Sequence, residues 1–306
     1  MGECEENLYQ FFMGFEQSLY DDSSIKKEWV TDGFYAQFSI CPDVHSCLEL
    51  KRRLRLTSVY RIKALYTNHV VCKNDKVARQ SVYVQNVIFN QEGKIVFEYA
   101  GRYSNSYQWK NHKWLLNECR YDLDMSSGEN LLKYKLNDPV VYGGHPLCIV
   151  SEYDAPWRGL KDSPENRTDE EKALEIIYKY AYAIDNGDWY SFVGAFNKEG
   201  IFENIETSYI GADRVLEFLK QYRHTVSNAQ HALFISKMKQ SGGNMVVEGY
   251  LLRNCKFKEM GSSYSELKYA YKARYIFTLR KEREKFEIYR VVFSREDLPA
   301  DNKQVY

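Results

Sequence analysis

The chain contains the same seven-residue pattern twice. Residues 97–103 and 269–275 each carry aromatic side chains at the first, third and seventh places and an arginine at the sixth. The same offset of 172 residues aligns Trp114 with Phe286, and both residues begin a segment that alternates like a strand. A repeat this long that occurs twice predicts two copies of one globular domain, because a solenoid needs several short units.

The repeat extends back towards the start of each copy. Asp22 and Asp185 each end an amphipathic helical pattern, and His69 and His231 follow them after 47 and 46 residues. The offset between the copies is 163 residues at the aspartates, so the second copy contains about ten additional residues before its closing strands. The glycine pair at 242–243 is a turn signal that could accommodate part of this insertion.

Composition is that of a globular protein with room for two hydrophobic cores. The chain has 306 residues, of which 44% are hydrophobic and 27% charged. The 42 Lys and Arg residues balance the 42 Asp and Glu residues, so no net charge favours nucleic acid or an anionic membrane as partner. The basic run at 51–55 is typical of a solvated helical face.

Neither a targeting segment nor a metal-binding motif is predicted. The acidic start of the chain lacks the pattern of a secretory signal, and no apolar run reaches the roughly 18 to 20 residues that span a bilayer. The seven cysteines are odd in number and show no CxxC spacing, so neither a disulfide framework nor a zinc site is expected. We therefore expect a cytoplasmic protein that uses no metal and no cofactor.

Helix and strand patterns are clearest in the second copy. A capping box of Thr168 and Glu171 predicts a helix start, and Gly187 predicts its end. A short second helix and a strand candidate at 201–206 come next, and a helix over 212–225 follows. Four long alternating segments complete the copy, at 230–238, 245–257, 267–279 and 286–294.

Long strands that follow helices predict an α+β fold, with helices covering one face of a curved antiparallel sheet. The first copy follows the same plan, although the pattern over 41–57 does not separate helix from loop. We expect a first domain over 1–125, a connector over 126–166 that is interrupted by glycine and proline, a second domain over 167–297 and a tail over 298–306.

Parts of both copies resemble the SnoaL-like branch of the nuclear transport factor 2-like superfamily. The residues that carry the resemblance are 180–189, Phe196, Phe202 and His231 in the second copy, and 101–103, 114–116 and Arg120 in the first. The resemblance implies two tandem cone-shaped domains. It leaves function open, because this fold is used by dehydratases, isomerases, polyketide cyclases and many non-catalytic proteins.

Asp185 and His231 are the strongest candidates for chemistry. Asp185 lies on the apolar face of its helix, where a carboxylate needs a hydrogen-bond partner or a raised pKa. His231 shares a strand face with Leu233 and Ile235, so its side chain is also expected to point inwards. The resemblance implies that an aspartate and a histidine at these places form an acid–base dyad.

Other residues could complete this site. Glu203, between Ile201 and Ile205, is expected to be a third inward carboxyl and an alternative base. Helical geometry favours Tyr178 and Tyr182 for holding a developing enolate oxygen, and Asn254 could be a polar donor in the pocket. Tyrosines in such a pattern are more typical of core and pocket wall.

The first copy keeps the spacing of the dyad in Asp22 and His69, but the residues around Asp22 depart from the pattern of the family. This copy is therefore expected to have the more degraded site. The sequence shows no GxGxxG motif, P-loop, HExxH motif or GxSxG motif.

These observations predict a cofactor-independent lyase or isomerase, of the dehydratase or cyclase type, that acts on a hydrophobic oxygenated small molecule in the second domain. The alternative is a non-catalytic protein of the same fold that binds a small molecule or serves assembly.

The resemblance also predicts an intramolecular pseudo-dimer, because such domains commonly dimerise through the outer face of the sheet and a tandem chain can make that contact within itself. A fragment spanning residues 166 to 306 should then self-associate or precipitate, whereas the full chain should sediment near 36.1 kDa. Light scattering and sedimentation test this. A well-behaved monomeric fragment would refute the pseudo-dimer.

Overall fold

The computed structural model describes residues 3–20, 25–129, 131, 148–160, 167–257, 269–283 and 285–296. The chain divides into two compact units between Glu165 and Asn166. The elements of the first unit are α1 (Glu3–Tyr20), a 3-10 turn (Lys27–Trp29), β1 (Val30–Phe38), β2 (Cys41–Val44), α2 (Cys47–Leu54), β3 (Arg61–Lys73), β4 (Val77–Phe89), β5 (Ile95–Lys110), β6 (Lys113–Gly128) and α3 (Ser151–Asp154). Those of the second are α4 (Asp169–Asn186), α5 (Trp189–Ala195), β7 (Phe196–Glu203), β8 (Ser208–Ile210), α6 (Ala212–Thr225), β9 (Val226–Ser241), β10 (Asn244–Phe257), β11 (Tyr269–Glu282) and β12 (Lys285–Glu296).

The two sheets have the same topology. Their strand orders are β2-β1-β6-β5-β4-β3 and β8-β7-β12-β11-β10-β9. The predicted fold class is confirmed: each copy is α+β, with helices followed by a long, mostly antiparallel sheet. One strand pair in each sheet is parallel, β1 with β6 and β7 with β12, which the antiparallel prediction missed. Hairpins join the antiparallel neighbours, but each parallel pair is separated in sequence by most of its own domain.

The closing strands preserve the sequence repeat in their register. Tyr103 on β5 lies opposite Tyr121 on β6, and Tyr275 on β11 lies opposite Phe293 on β12. Both residues of the second pair follow their counterparts by 172 positions. Because both strands of the pair keep the same offset, the two hairpins share their strand register as well as their sequence pattern.

Each sheet buries its inner face under the first helix of its unit. In α1 the buried residues recur at helical spacing: Leu8, Phe12, Phe15 and Leu19. In α4 the corresponding buried residues are Ala173, Ile177, Tyr180 and Ile184. The two sets match at an offset of 165 residues, so the two helices present equivalent faces to their sheets.

Residues 148–160 lie on the outer face of the first sheet. The backbone N–H groups of Cys148 and Ile149 donate to the Asp122 carboxylate at 2.8 and 3.0 Å. The Arg79 guanidinium donates to the carbonyl oxygen of Tyr153 at 2.8 Å. This part of the sequence-predicted connector therefore belongs to the first unit. None of the helices in the described ranges has both the length and the apolar character needed to cross a bilayer.

The predicted capping box begins α4. Thr168 Oγ1 accepts from the backbone N–H of Glu171 at 3.2 Å, and Glu171 Oε2 accepts from the backbone N–H of Thr168 at 2.7 Å. The helix ends at Gly187, whose φ of 68° lies in the left-handed region that favours glycine.

We expect Thr168→Ala to lower the free energy of unfolding by about 1 kcal/mol, because it removes one acceptor from the exposed first turn of α4. Thr168→Ser, which keeps the hydroxyl oxygen, is the control and should stay close to the wild type. Urea denaturation measures both. Equal losses in the two variants would show that the hydroxyl does not stabilise the helix.

Candidate functional site

The structure brings Asp185 and His231 into contact. One carboxylate oxygen of Asp185 accepts a hydrogen bond from His231 Nδ1, and the other accepts from the backbone N–H of His231 at 2.8 Å. The two residues are 2% and 5% exposed, so this hydrogen-bonded pair is almost fully removed from water. The carboxylate therefore binds both the ring and the backbone of one residue.

Local sequence explains why these side chains meet. Asp185 follows Ala181 by four residues and Ile177 by eight, so it lies on the buried face of α4 at its last turn. His231 precedes Leu233 by two residues on β9, and both are buried. The last turn of α4 and the first half of β9 therefore direct both polar groups to one place.

Arg223 on α6 places a positive charge beside the pair. Its guanidinium donates to the backbone carbonyl of Asp185 at 3.3 Å, and the residue is only 3% exposed. A cation at this point interacts favourably with the C-terminal end of α4, where carbonyl groups point outwards. The buried Asp185 carboxylate itself accepts two hydrogen bonds from His231, which offset part of its lost hydration.

With the Asp185 carboxylate ionised, this contact fixes the tautomer of His231. An ionised carboxylate can only accept hydrogen bonds, so Nδ1 of His231 must carry a proton. In the neutral ring Nε2 is then the acceptor nitrogen. A carboxylate that orients an imidazole in this way is an arrangement used in general acid–base chemistry.

The predicted tyrosines differ in their surroundings. Tyr182 is 3% exposed and precedes Asp185 by three residues, which places it on the same side of α4. Tyr178 is partly buried and lies one turn earlier, packed against the core of the second unit. Asn254 lies in β10 opposite Gln230, next to the strand partner of His231, and its side chain is outside the described part of the structure.

The expectation that Glu203 points inwards is wrong. Phe202 is the buried residue at this point of β7, so Glu203 lies on the opposite face of the strand. Its carboxylate accepts from Arg290 at 2.6 Å, and its side chain is 27% exposed. The buried positions of β7 are shifted by one residue from the predicted ones. Such a shift exchanges the two faces of a strand.

His69 does not occupy the position of His231. Asn86 on β4 corresponds to Arg253 on β10. The equivalent residues Tyr103 and Tyr275 pair with Val82 and Gly249, and Asn86 and Arg253 each lie four positions after these partners. Arg253 pairs with His231, whereas Asn86 pairs with Ala64. The predicted spacing failed because the two copies do not keep one offset: their first helices match at 165 residues and these strand positions at 167, whereas His69 and His231 differ by 162. A bulge between Thr67 and Val70 also shifts the register of β3.

The environment of His69 is also different. The Gln80 amide lies 2.8 Å from His69 Nε2, and the Tyr9 ring packs on the imidazole with a centroid separation of 4.6 Å. Gln80 must donate to the ring, since its amide oxygen accepts from Asn105 and Tyr107. Burial lowers the pKa of His69 to about 4, so the ring is neutral near pH 7. Asp22 lies outside the described residues.

Sequence reasoning missed a buried carboxyl in the first unit. Glu16 on α1 is 1% exposed, and it accepts from the Tyr66 hydroxyl at 2.8 Å and the Asn86 amide at 3.2 Å. Burial raises the pKa of Glu16 to about 7, and these two hydrogen bonds limit the rise. The signal was present: Glu16 follows Leu8 and Phe12 at helical spacing, on the predicted apolar face.

No protein-family model and no curated protein matches the chain. Solved structures that it is similar to have NTF2-like and cystatin-like folds. A protein of unknown function with a cystatin-like fold from Nostoc punctiforme is 15% identical, with 42% of this chain and 91% of that chain covered and a TM-score of 0.36. An NTF2-like protein with a cystatin-like fold from Novosphingobium aromaticivorans is 15% identical over 43% and 84%, with a TM-score of 0.35. An NTF2-like protein of unknown function from Shewanella oneidensis is 13% identical over 42% and 99%, with a TM-score of 0.32.

The raised pKa of Glu16 predicts a pH dependence of stability. The pKa of Glu16 is about 7 in the folded chain, whereas its usual value is 4.5. Between these two pH values the folded state therefore binds more protons than the unfolded state. The free energy of unfolding should therefore fall as the pH rises from about 4.5 to about 7, by roughly 3 kcal/mol in total. His69 has the opposite effect between pH 4 and 6.5, because its folded pKa is lowered.

Comparison of the wild type with Glu16→Gln isolates the carboxyl. Denaturant unfolding across this pH range should show the wild type losing stability relative to the variant as the pH rises. Glu92→Gln, on an exposed hairpin, is the matched control and should run parallel to the wild type. A constant difference between wild type and Glu16→Gln at all pH values would contradict the raised pKa.

Proposed function

We propose that the second unit carries out cofactor-independent acid–base chemistry on a hydrophobic, oxygenated small molecule. The observation that supports this is the buried contact between Asp185 and His231, in which the carboxylate orients the ring and leaves Nε2 as the basic nitrogen.

The proposed reaction needs only one proton-transferring group. Nε2 of His231 takes a proton from a carbon next to a carbonyl group, and an enolate forms. In a dehydration the proton returns to the leaving hydroxyl, which departs as water while a carbon–carbon double bond forms. In an isomerisation it returns to a different carbon. Tyr182, and Tyr178 one turn away, are proposed to stabilise the enolate oxygen by hydrogen bonding.

A second candidate function is binding without turnover. The backbone N–H of His231 also donates to Asp185, so the same carboxylate joins the end of α4 to β9. A contact of this kind stabilises a fold whether or not the ring transfers protons. The unit would then bind the same class of molecule and release it unchanged.

Substitutions in the pair distinguish these functions. The wild type, Asp185→Asn and His231→Ala should be screened with hydroxylated polyketide-like and steroid-like compounds for dehydration or isomerisation. Loss of the proton-transferring group should lower kcat by about 10² to 10⁴. Asp169→Asn is a matched control, because it removes the same charge at the exposed start of the same helix, where Asp169 pairs with Lys281.

Each outcome has a defined meaning. Turnover that is lost in His231→Ala and retained in Asp169→Asn supports the enzyme. Turnover that is unchanged in His231→Ala would show that His231 does not transfer the proton and would overturn the proposed mechanism. A compound that raises the Tm of the wild type without being converted supports the binding protein. Circular dichroism should accompany every assay, because Asp185 is also part of the core.

A further inference from the structure

The first unit has a small cavity on the outer face of its sheet. Its floor is a row of paired residues on three neighbouring strands: Arg79 on β4 pairs with Ser106 on β5, and Ser106 pairs with Glu118 on β6. Asp154, from the segment that lies on this face, also lines the cavity. The volume is about 180 Å³, and a water molecule in the liquid occupies about 30 Å³, so a ligand of about six non-hydrogen atoms fits.

The two sides of this cavity differ in charge. On the β6 side, the Arg120 guanidinium pairs with Glu118 at 2.7 Å and with Asp154 at 3.1 Å, so two carboxylates share one cation. On the β4 side, Arg79 donates to two backbone carbonyl oxygens, both at 2.8 Å, and pairs with no carboxylate of the described residues. The cavity therefore has an excess negative charge on one side and an unpaired cation on the other.

Several polar atoms of the lining are not used to hold residues 148–160. Arg79 makes both of its hydrogen bonds through Nη1, so the edge formed by Nε and Nη2 has no hydrogen bond within the described part of the chain. Arg120 binds Oε1 of Glu118 and Oδ2 of Asp154, which leaves Oε2 and Oδ1 as acceptors. Burial raises the pKa of Asp154, and a cation beside it would counteract this rise.

The second copy shows that the fold does not require this polar row. Thr278, which follows Ser106 by the 172 residues of the closing strands, pairs with Val246 on one side and Arg290 on the other. An aliphatic side chain thus replaces Arg79, and a cation replaces the carboxylate of Glu118. The arrangement of opposite charges around a small floor residue is specific to the first copy.

We propose that this cavity binds the zwitterion of a small α-amino acid. Its carboxylate accepts two hydrogen bonds from Nε and Nη2 of Arg79, in the bidentate geometry that a guanidinium favours. Its ammonium group donates to Oε2 of Glu118 and Oδ1 of Asp154. Neighbouring strands are about 4.8 Å apart, so Arg79 and Glu118 are separated by about 10 Å at the backbone, and their side chains can contact opposite ends of one small molecule. A ligand with a single charge would leave one side of the cavity without a partner.

L-Alanine, L-lactate and L-alaninamide distinguish the two contacts, because they have nearly the same size. Lactate has a hydroxyl in place of the ammonium group, and alaninamide has a neutral amide in place of the carboxylate. Calorimetry and NMR titration of the full chain near pH 7 measure the dissociation constants. We expect alanine to bind the wild type at least about tenfold more tightly than either analogue, since each analogue loses one charge-assisted contact.

Variants on each side of the cavity should affect different ligands. Arg79→Gln should weaken alanine binding by at least about tenfold and leave alaninamide binding unchanged. Glu118→Gln should weaken alanine binding by a similar factor and leave lactate binding unchanged. Arg61→Gln is the matched control, because it removes the same charge from an exposed position on β3 of the same sheet, and it should bind alanine like the wild type.

Arg79 and the pair of Glu118 with Arg120 also hold residues 148–160, so Ser106→Val is a second test. The larger side chain fills the floor of the cavity without removing any of these contacts, and Thr278 shows that the strand accepts a branched residue at this place. Alanine binding should be lost while the Tm stays close to that of the wild type. The proposal is overturned if alanine shows no saturable binding to the wild type, if either analogue binds as tightly as alanine, or if Arg79→Gln or Ser106→Val binds alanine as tightly as the wild type.

Discussion

A carboxylate on the buried face of a helix must find hydrogen-bond donors on the sheet that it packs against, and both units satisfy this constraint. Asp185 meets the ring and backbone N–H groups of His231, and Glu16 meets Tyr66 and Asn86. A buried, unpaired carboxylate would cost several kcal/mol and would neutralise or unfold its surroundings. The position of each carboxyl on its helix therefore determines which strand residues can be polar.

The two units share a backbone plan and differ in their interior chemistry. Identical strand orders and a constant offset across the closing hairpins indicate two copies of one domain. Ala64 stands where the second copy has His231, and Glu16 stands where it has Ala181. Among the described residues, the first helix of each copy thus carries one buried carboxyl, but on a different turn and with different partners.

The repeated arginine shows the same divergence on the outer faces. Arg102 binds Asp124 on β6 at 2.8 Å with both side chains almost fully buried. Arg274, at the equivalent place, binds Glu248 on β10, and its own side chain is 40% exposed. The same residue type is therefore part of a buried polar network in one copy and of a solvent-screened surface pair in the other.

The sequence by itself determined the repeat, the α+β class, the capping box at Thr168, the helix over 212–225 and the inward placement of Asp185 and His231. These depend on periodicity and on local backbone chemistry, which are readable over a few turns of chain. Tertiary structure alone decided which face Glu203 occupies, that Ala64 rather than His69 corresponds to His231, and that Glu16 has partners on β3 and β4. Those outcomes depend on strand register, which bulges shift by one residue, and on contacts between residues far apart in the chain.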